Sequence, residues 1–112
     1  MELNINSLDN KSDLELDLYS LYLYALRSPS SREKYQKRLE KYFDFLGLEG
    51  LTIGEKSESF VKKLEKDGNQ WVFNSVLRFM QLQLERINRK EIAGATARNF
   101  LKSIKLYIDL AD

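Results

Sequence analysis

The chain has no cysteine, so neither a disulfide framework nor a thiolate metal site can form. It has a single proline and only five glycines among 112 residues, too few for a turn-rich β architecture or a flexible, low-complexity protein. No apolar run approaches the ~18 residues that a membrane span needs. The start, MELNINSLDNKSDLELD, is polar and acidic, unlike a signal or transit peptide. No membrane partner is expected, and a cytoplasmic location is the default. What remains is 43% apolar and 31% charged residues, a profile that suits one α-helical domain with a real core.

The net charge is only +1, and its distribution says more than its size. In residues 1–27, Lys11 and Arg27 stand against five carboxylates, leaving −3. In residues 69–112, seven cations stand against four anions, leaving +3. A nearly neutral total can conceal a basic face.

Hydrophobic spacing predicts five helices in an all-α, compact bundle of four to five helices. The first covers about Asp13 to Arg27, with residues 1–12 expected to be flexible. Ser28-Pro29 ends it and opens the second, with Ser28 as cap and Pro29 in the first turn. Ser30 with Glu33 offers a competing start. The second helix runs to Leu46-Gly47. Leu48 to Lys56 reads as a loop, with a possible capping box at Thr52 and Glu55. A short helix carrying Phe60, Val61 and Leu64 closes at Asp67-Gly68. Asn69 caps a fourth helix, Gln70 to Asn88, whose apolar residues cover most of its circumference and predict burial on several sides. The last helix covers about Gly94 to Leu110.

The second and last helices share one plan. Ser31, Tyr35, Leu39 and Phe43 fall opposite Thr96, Phe100, Ile104 and Ile108, and Lys37, Tyr42 and Asp44 recur as Lys102, Tyr107 and Asp109. In the second helix, Lys34, Lys37, Arg38 and Lys41 gather on one side of the apolar stripe, and Glu33, Glu40 and Asp44 on the other. In the last, Arg98, Asn99, Lys102 and Lys105 point away from the core stripe. Each face reads either as a solvated surface or as half of a polyanion grip. Lysine and arginine neutralise phosphates, amides and guanidinium groups read base edges, and hydroxyls near a helix start sit where backbone N–H groups favour an anion.

The stretches LYLYALRSPSSREKYQKRLEKYFDFLGL and EIAGATARNFLKSIKLYIDL resemble the amino-terminal core-binding, or SAM-like, domain of tyrosine recombinases and phage-type integrases. A hydroxyl residue, an aromatic four positions on, an aliphatic and a paired aromatic recur as Ser31, Tyr35, Leu39, Tyr42 and Phe43. Thr96, Phe100, Ile104 and Tyr107 repeat the scheme. The wording KEIAGATARNFLKSIKLY is most similar to archaeal integrases. Ala93 departs from the family, which often places a serine-type cap there. The resemblance covers about residues 18–110. It implies a helical bundle that clamps duplex DNA, with a separate catalytic domain closing the clamp and absent from this chain. By resemblance the DNA-binding residues are Ser31, Lys34, Lys37, Arg38, Lys41, Thr96, Arg98, Asn99, Lys102 and Lys105. The implied partners are double-stranded DNA, other recombinase protomers and the catalytic domain, with no cofactor and no metal.

The family's catalytic set includes an H-x-x-R motif, and this chain has no histidine. Most of its six tyrosines fall on core stripes, with Tyr24 the one expected to face outward. No glycine-rich phosphate loop is present, and Trp71 reads as a core residue rather than a base-stacking one. The chain is therefore expected to bind rather than catalyse. An alternative reading is a helical protein-interaction module. Its contacts would be Leu16, Leu23, Leu106 and Leu110, apolar residues of the first and last helices that lie off the main stripes, although a local core role accounts for them equally well.

Overall fold

A computed structural model describes residues 17–111, and all of its regular structure is helical. Four helices follow in order: α1, Leu18–Ala25; α2, Pro29–Phe45; α3, Ile53–Asn88; and α4, Gly94–Ala111. The expected all-α bundle is what forms. Leu16 and residues 1–12 lie outside the described residues.

Local chemistry explains the boundaries. Asp17 caps α1, its carboxylate accepting from the Ser20 N–H at 2.8 Å. Helix α1 stops at Ala25, two residues short of the expected end. There the Arg32 Nε–H reaches back to the carbonyls of Leu23 and Leu26 at 3.1 and 2.7 Å, satisfying groups a helix end leaves open. Ser28 caps α2 with Pro29 in its first turn, so the competing start at Ser30 is not used. Helix α3 begins at Ile53, inside the segment expected to be loop. Thr52 Oγ1 accepts from the Glu55 N–H at 3.1 Å, while the Glu55 carboxylate turns back to accept from the Leu51 N–H at 2.7 Å. That exchange, close to a capping box, pulls the helix start forward. The last helix starts without a serine-type cap: the Ala93 carbonyl accepts from the Thr96 and Ala97 N–H groups.

The expected third and fourth helices are the two halves of α3. Gly68 sits between them at φ 79°, ψ −174°, a conformation closed to residues with a side chain, so the axis kinks there.

The core is aromatic. Tyr22, Leu39, Tyr42, Phe43, Phe60, Ile104 and Tyr107 are fully buried, joined by Phe79 and Phe100. Phe43 and Phe60 each meet Tyr107 edge-on, at 5.3 and 5.2 Å, and Tyr42 meets Phe79 at 5.5 Å. Such edge-to-face pairs add about 0.5–1.5 kcal/mol each beyond the area they bury. Trp71 is half-buried against Phe60, 5.2 Å between rings. One expectation fails here. The second half of α3 is not buried on several sides: Phe73, Leu77 and Leu84 are 60%, 47% and 57% exposed. Val72 and Phe79 of this half are buried in the core, whereas those three side chains face away from it.

Candidate nucleic-acid interface

The twin helices α2 and α4 pack directly on each other. Their approach is fixed by Tyr22 of α1. Its hydroxyl donates to the main-chain carbonyl of Ser103 in α4 at 3.0 Å and lies 3.3 Å from that of Tyr35 in α2. One buried phenol thus links the two main chains. Burial drives its pKa far above the usual tyrosine value, while the nearby Arg38 guanidinium acts weakly the other way. Arg38 lies over the Tyr35 ring at 5.6 Å, and that ring is 6.4 Å from Tyr22, which sets Arg38 beside the α2–α4 contact.

The sorting of charge on α2 has a structural cause. Its acidic edge turns inward along the bundle: Lys56 of α3 bonds Glu40 at 3.1 Å and Asp44 at 2.8 Å. Both carboxylates hold the Lys56 ammonium in its charged form, raising its pKa. Gln36, on the same side, bonds the Tyr19 hydroxyl. With that edge occupied by α1 and α3, the opposite edge of α2 is left for its cations. Lys34 and Lys41 are exposed there and Arg38 is half-exposed.

On α4, Thr96, Arg98, Lys102 and Lys105 are exposed and Asn99 is partly buried. Ser103 donates its hydroxyl to the Asn99 carbonyl, so the main chain at Asn99 lies one turn from the Tyr22 contact. Arg98 lies against the start of its own helix, beside Gly94. Ser31 is half-buried in the first turn of α2, its N–H donating to Ser28 Oγ.

The ten residues are not equivalent. Lys37 is held by Glu33 at 3.3 Å and Lys105 by Asp109 at 2.9 Å, each one turn away on its own helix. Among the described residues, no ion pair involves Lys34, Arg38, Lys41, Arg98 or Lys102. Sequence reasoning passed over Arg78 of α3, an exposed cation whose charge reaches the buried Tyr42 hydroxyl of α2. Nothing in its spacing marked it, because it belongs to neither twin helix.

Of the leucines considered for protein contact, Leu16 lies outside the described residues. Leu23, Leu106 and Leu110 are half-buried and pack against the core, on the two helices α1 and α4 that lie against each other. The tyrosines of the core are also committed. Tyr42 donates to Ser75 Oγ at 2.6 Å, and burial pushes its pKa up to about 12. Tyr107 shares a 2.5 Å hydrogen bond with Ser57, and burial raises its pKa strongly. None of the three presents a phenolate to solvent. Tyr24 is 77% exposed, as expected. Among the described residues there is no cluster of acidic side chains suited to a metal ion and no helix long and apolar enough to cross a membrane.

No protein family, no curated protein and no solved structure matches this chain.

Proposed function

We propose that this chain is a duplex-DNA-binding module of the core-binding type found in tyrosine recombinases. In this reading it grips its site with the outer edges of α2 and α4. The observation that carries the proposal is the Tyr22 link: the two helices sharing one sequence plan are joined at their crossing, with Arg38 beside the joint and Lys34, Lys41 and Lys102 exposed. Cations on two adjoining helices neutralise phosphates, and Asn99 and Arg38 supply the donors that read base edges. The chemistry of strand exchange would belong to a catalytic domain elsewhere, and the further partners would be other protomers on the same DNA. Burial of Tyr22, Tyr42 and Tyr107 agrees with a binding role.

The test is fluorescence anisotropy with a labelled duplex, repeated across salt concentrations. The reading expects measurable duplex binding at low salt that weakens steeply as salt rises. No binding by folded protein at low salt, or binding indifferent to salt, would overturn it. The adaptor reading rests on leucines that pack into the core, so it is not preferred.

A further inference from the structure

The second half of α3 carries a pattern that the DNA reading leaves unused. Phe73, Leu77, Met80, Leu84 and Ile87 follow one another at spacings of four, three, four and three residues, the stripe of a helix that packs lengthwise on another helix. In this bundle the stripe looks outward: Phe73, Leu77 and Leu84 are largely exposed, and Met80 and Ile87 are half-buried. Beside it lies a mostly apolar groove of about 500 Å³ between α3 and α4, lined by Val72, Phe73, Val76, Leu101 and Ile108, with Asn69 and Lys105 also on its walls.

The flank says what kind of surface would cover it. From Asn69 to Leu84 the only charged residue is Arg78, in a chain that is 31% charged. The exposed positions beside the stripe are amides, among them Gln70, Asn74 and Gln81. Loss of charge around exposed aromatic and aliphatic residues marks the centre of protein interfaces. A strongly charged partner would find few charges to pair with, chiefly Arg78 and Lys105, whereas a nearly uncharged flank meets its own copy with little repulsion. The exposed parts of Phe73, Leu77, Leu84 and Leu101 amount to roughly 350 Å², within the range of a functional patch. The amide rim extends the footprint toward the ~800 Å² per partner of a standard interface.

We infer that this face joins two copies of the chain in solution, with the two α3 halves antiparallel. That direction sets Phe73 against Ile87 and Leu77 against Leu84, with Met80 near the two-fold axis. A parallel pair would instead hold Glu85 and Arg89 beside their like-charged twins. The contact is apolar, so it persists in salt that would release nucleic acid. From Phe73 to Ile87 the seam runs roughly 21 Å along one helix, at about 1.5 Å per residue.

Sedimentation velocity on residues 1–112, from about 5 µM to about 1 mM, tests this. The mass should climb from 13.2 kDa toward twice that value. Leu77→Glu/Leu84→Glu should hold it at the monomer value with an unchanged helical spectrum. A wild-type chain that stays monomeric throughout would leave the face to some other partner and overturn the inference. So would a double variant that associates as strongly as the wild type. Because the chain lacks cysteine, single replacements give a second readout. Gln81→Cys, near the axis, should oxidise readily to a linked dimer. Asn74→Cys should not, being roughly 18 Å from its twin along the seam. Equal linkage at both positions, or none at residue 81, would refute the antiparallel pair. Neither variant touches Arg38 or Lys102, so failure here leaves the DNA reading standing.

Discussion

Arg38 and Lys102 are the pair whose neutralisation tests the proposed grip most directly. Each stands on one of the two twin helices, and neither has an ion-pair partner among the described residues. The expected size of the effect can be worked from the structure. Lys34, Arg38, Lys41, Arg98 and Lys102 are the candidate contact cations of α2 and α4 that form no ion pair among the described residues. If each neutralises one phosphate, the slope of log affinity against log salt is about −4.5, at ~0.9 per contact. Between about 50 and 200 mM salt, binding should then weaken roughly 500-fold. Arg38→Gln/Lys102→Gln leaves three such contacts, a slope of about −2.7 and a loss of only roughly 40-fold over the same interval. Glutamine keeps the aliphatic stem and is a good helix former, so the helical spectrum should not change. The assay is anisotropy of a labelled duplex at five or so salt concentrations, with wild type and variant in parallel. A variant whose slope equals that of the wild type would show that these two side chains do not meet phosphate. Lys37→Gln is the internal control. Its ammonium is already shared with Glu33, so its slope should shift by less than that of Lys102→Gln.

Three further outcomes concern the scaffold. Tyr22, Tyr42 and Tyr107 are buried with raised pKa values, so the folded state holds their protons above pH 10 while the unfolded chain releases them. The stabilisation is complete below pH 10 and falls from there through about pH 12, approaching about 1.4 kcal/mol per pH unit per tyrosine. Tyrosinate absorbance should rise together with loss of helix, and full titration of all six tyrosines near pH 10 in a folded protein would contradict this. Gly50→Ala should destabilise by about 2–3 kcal/mol, because Gly50 has φ 142° and a Cβ there would lie 2.8 Å from the Lys56 backbone nitrogen. Denaturant unfolding measures it, and a change under about half a kcal/mol would count against the described turn. Lys90→Gly should stabilise by about 0.5–1 kcal/mol, since Lys90 adopts φ 62° where α3 ends, the left-handed position that Gly47 fills at φ 69° after α2. A lowered melting temperature would mean that the lysine side chain contributes something the backbone argument omits.

Much of the fold was legible because its signals are local. Ser28-Pro29, Thr52 with Glu55 and Asp67-Gly68 each act within four residues, and each marks a boundary or break in the structure. The stripe Tyr35, Leu39, Tyr42 and Phe43 identified the buried side of α2 by period alone. The extent of burial on α3 was not legible. Apolar residues around most of a helix are compatible with burial by neighbours in the same chain or with a face left open, and periodicity does not count neighbours. The same limit explains the leucines of α4. Leu106 and Leu110 lie off the main stripe, yet they pack against the core, whose other members are remote from them in sequence. The cations of α2 and α4 were found as sets, yet which of them are already paired depends on rotamers and on Glu33 and Asp109. Lys56, which draws the acidic edge of α2 inward, lay in a segment expected to be loop, so its partnership was out of reach.

The Tyr22 phenol holds α2 and α4 by carbonyl oxygens, atoms every residue possesses. Their separation is therefore indifferent to what the outer side chains are. Substitutions along the exposed edges could retarget whatever is recognised there while the spacing of the two rods stays put, so variation in preference and constancy of frame need not compete.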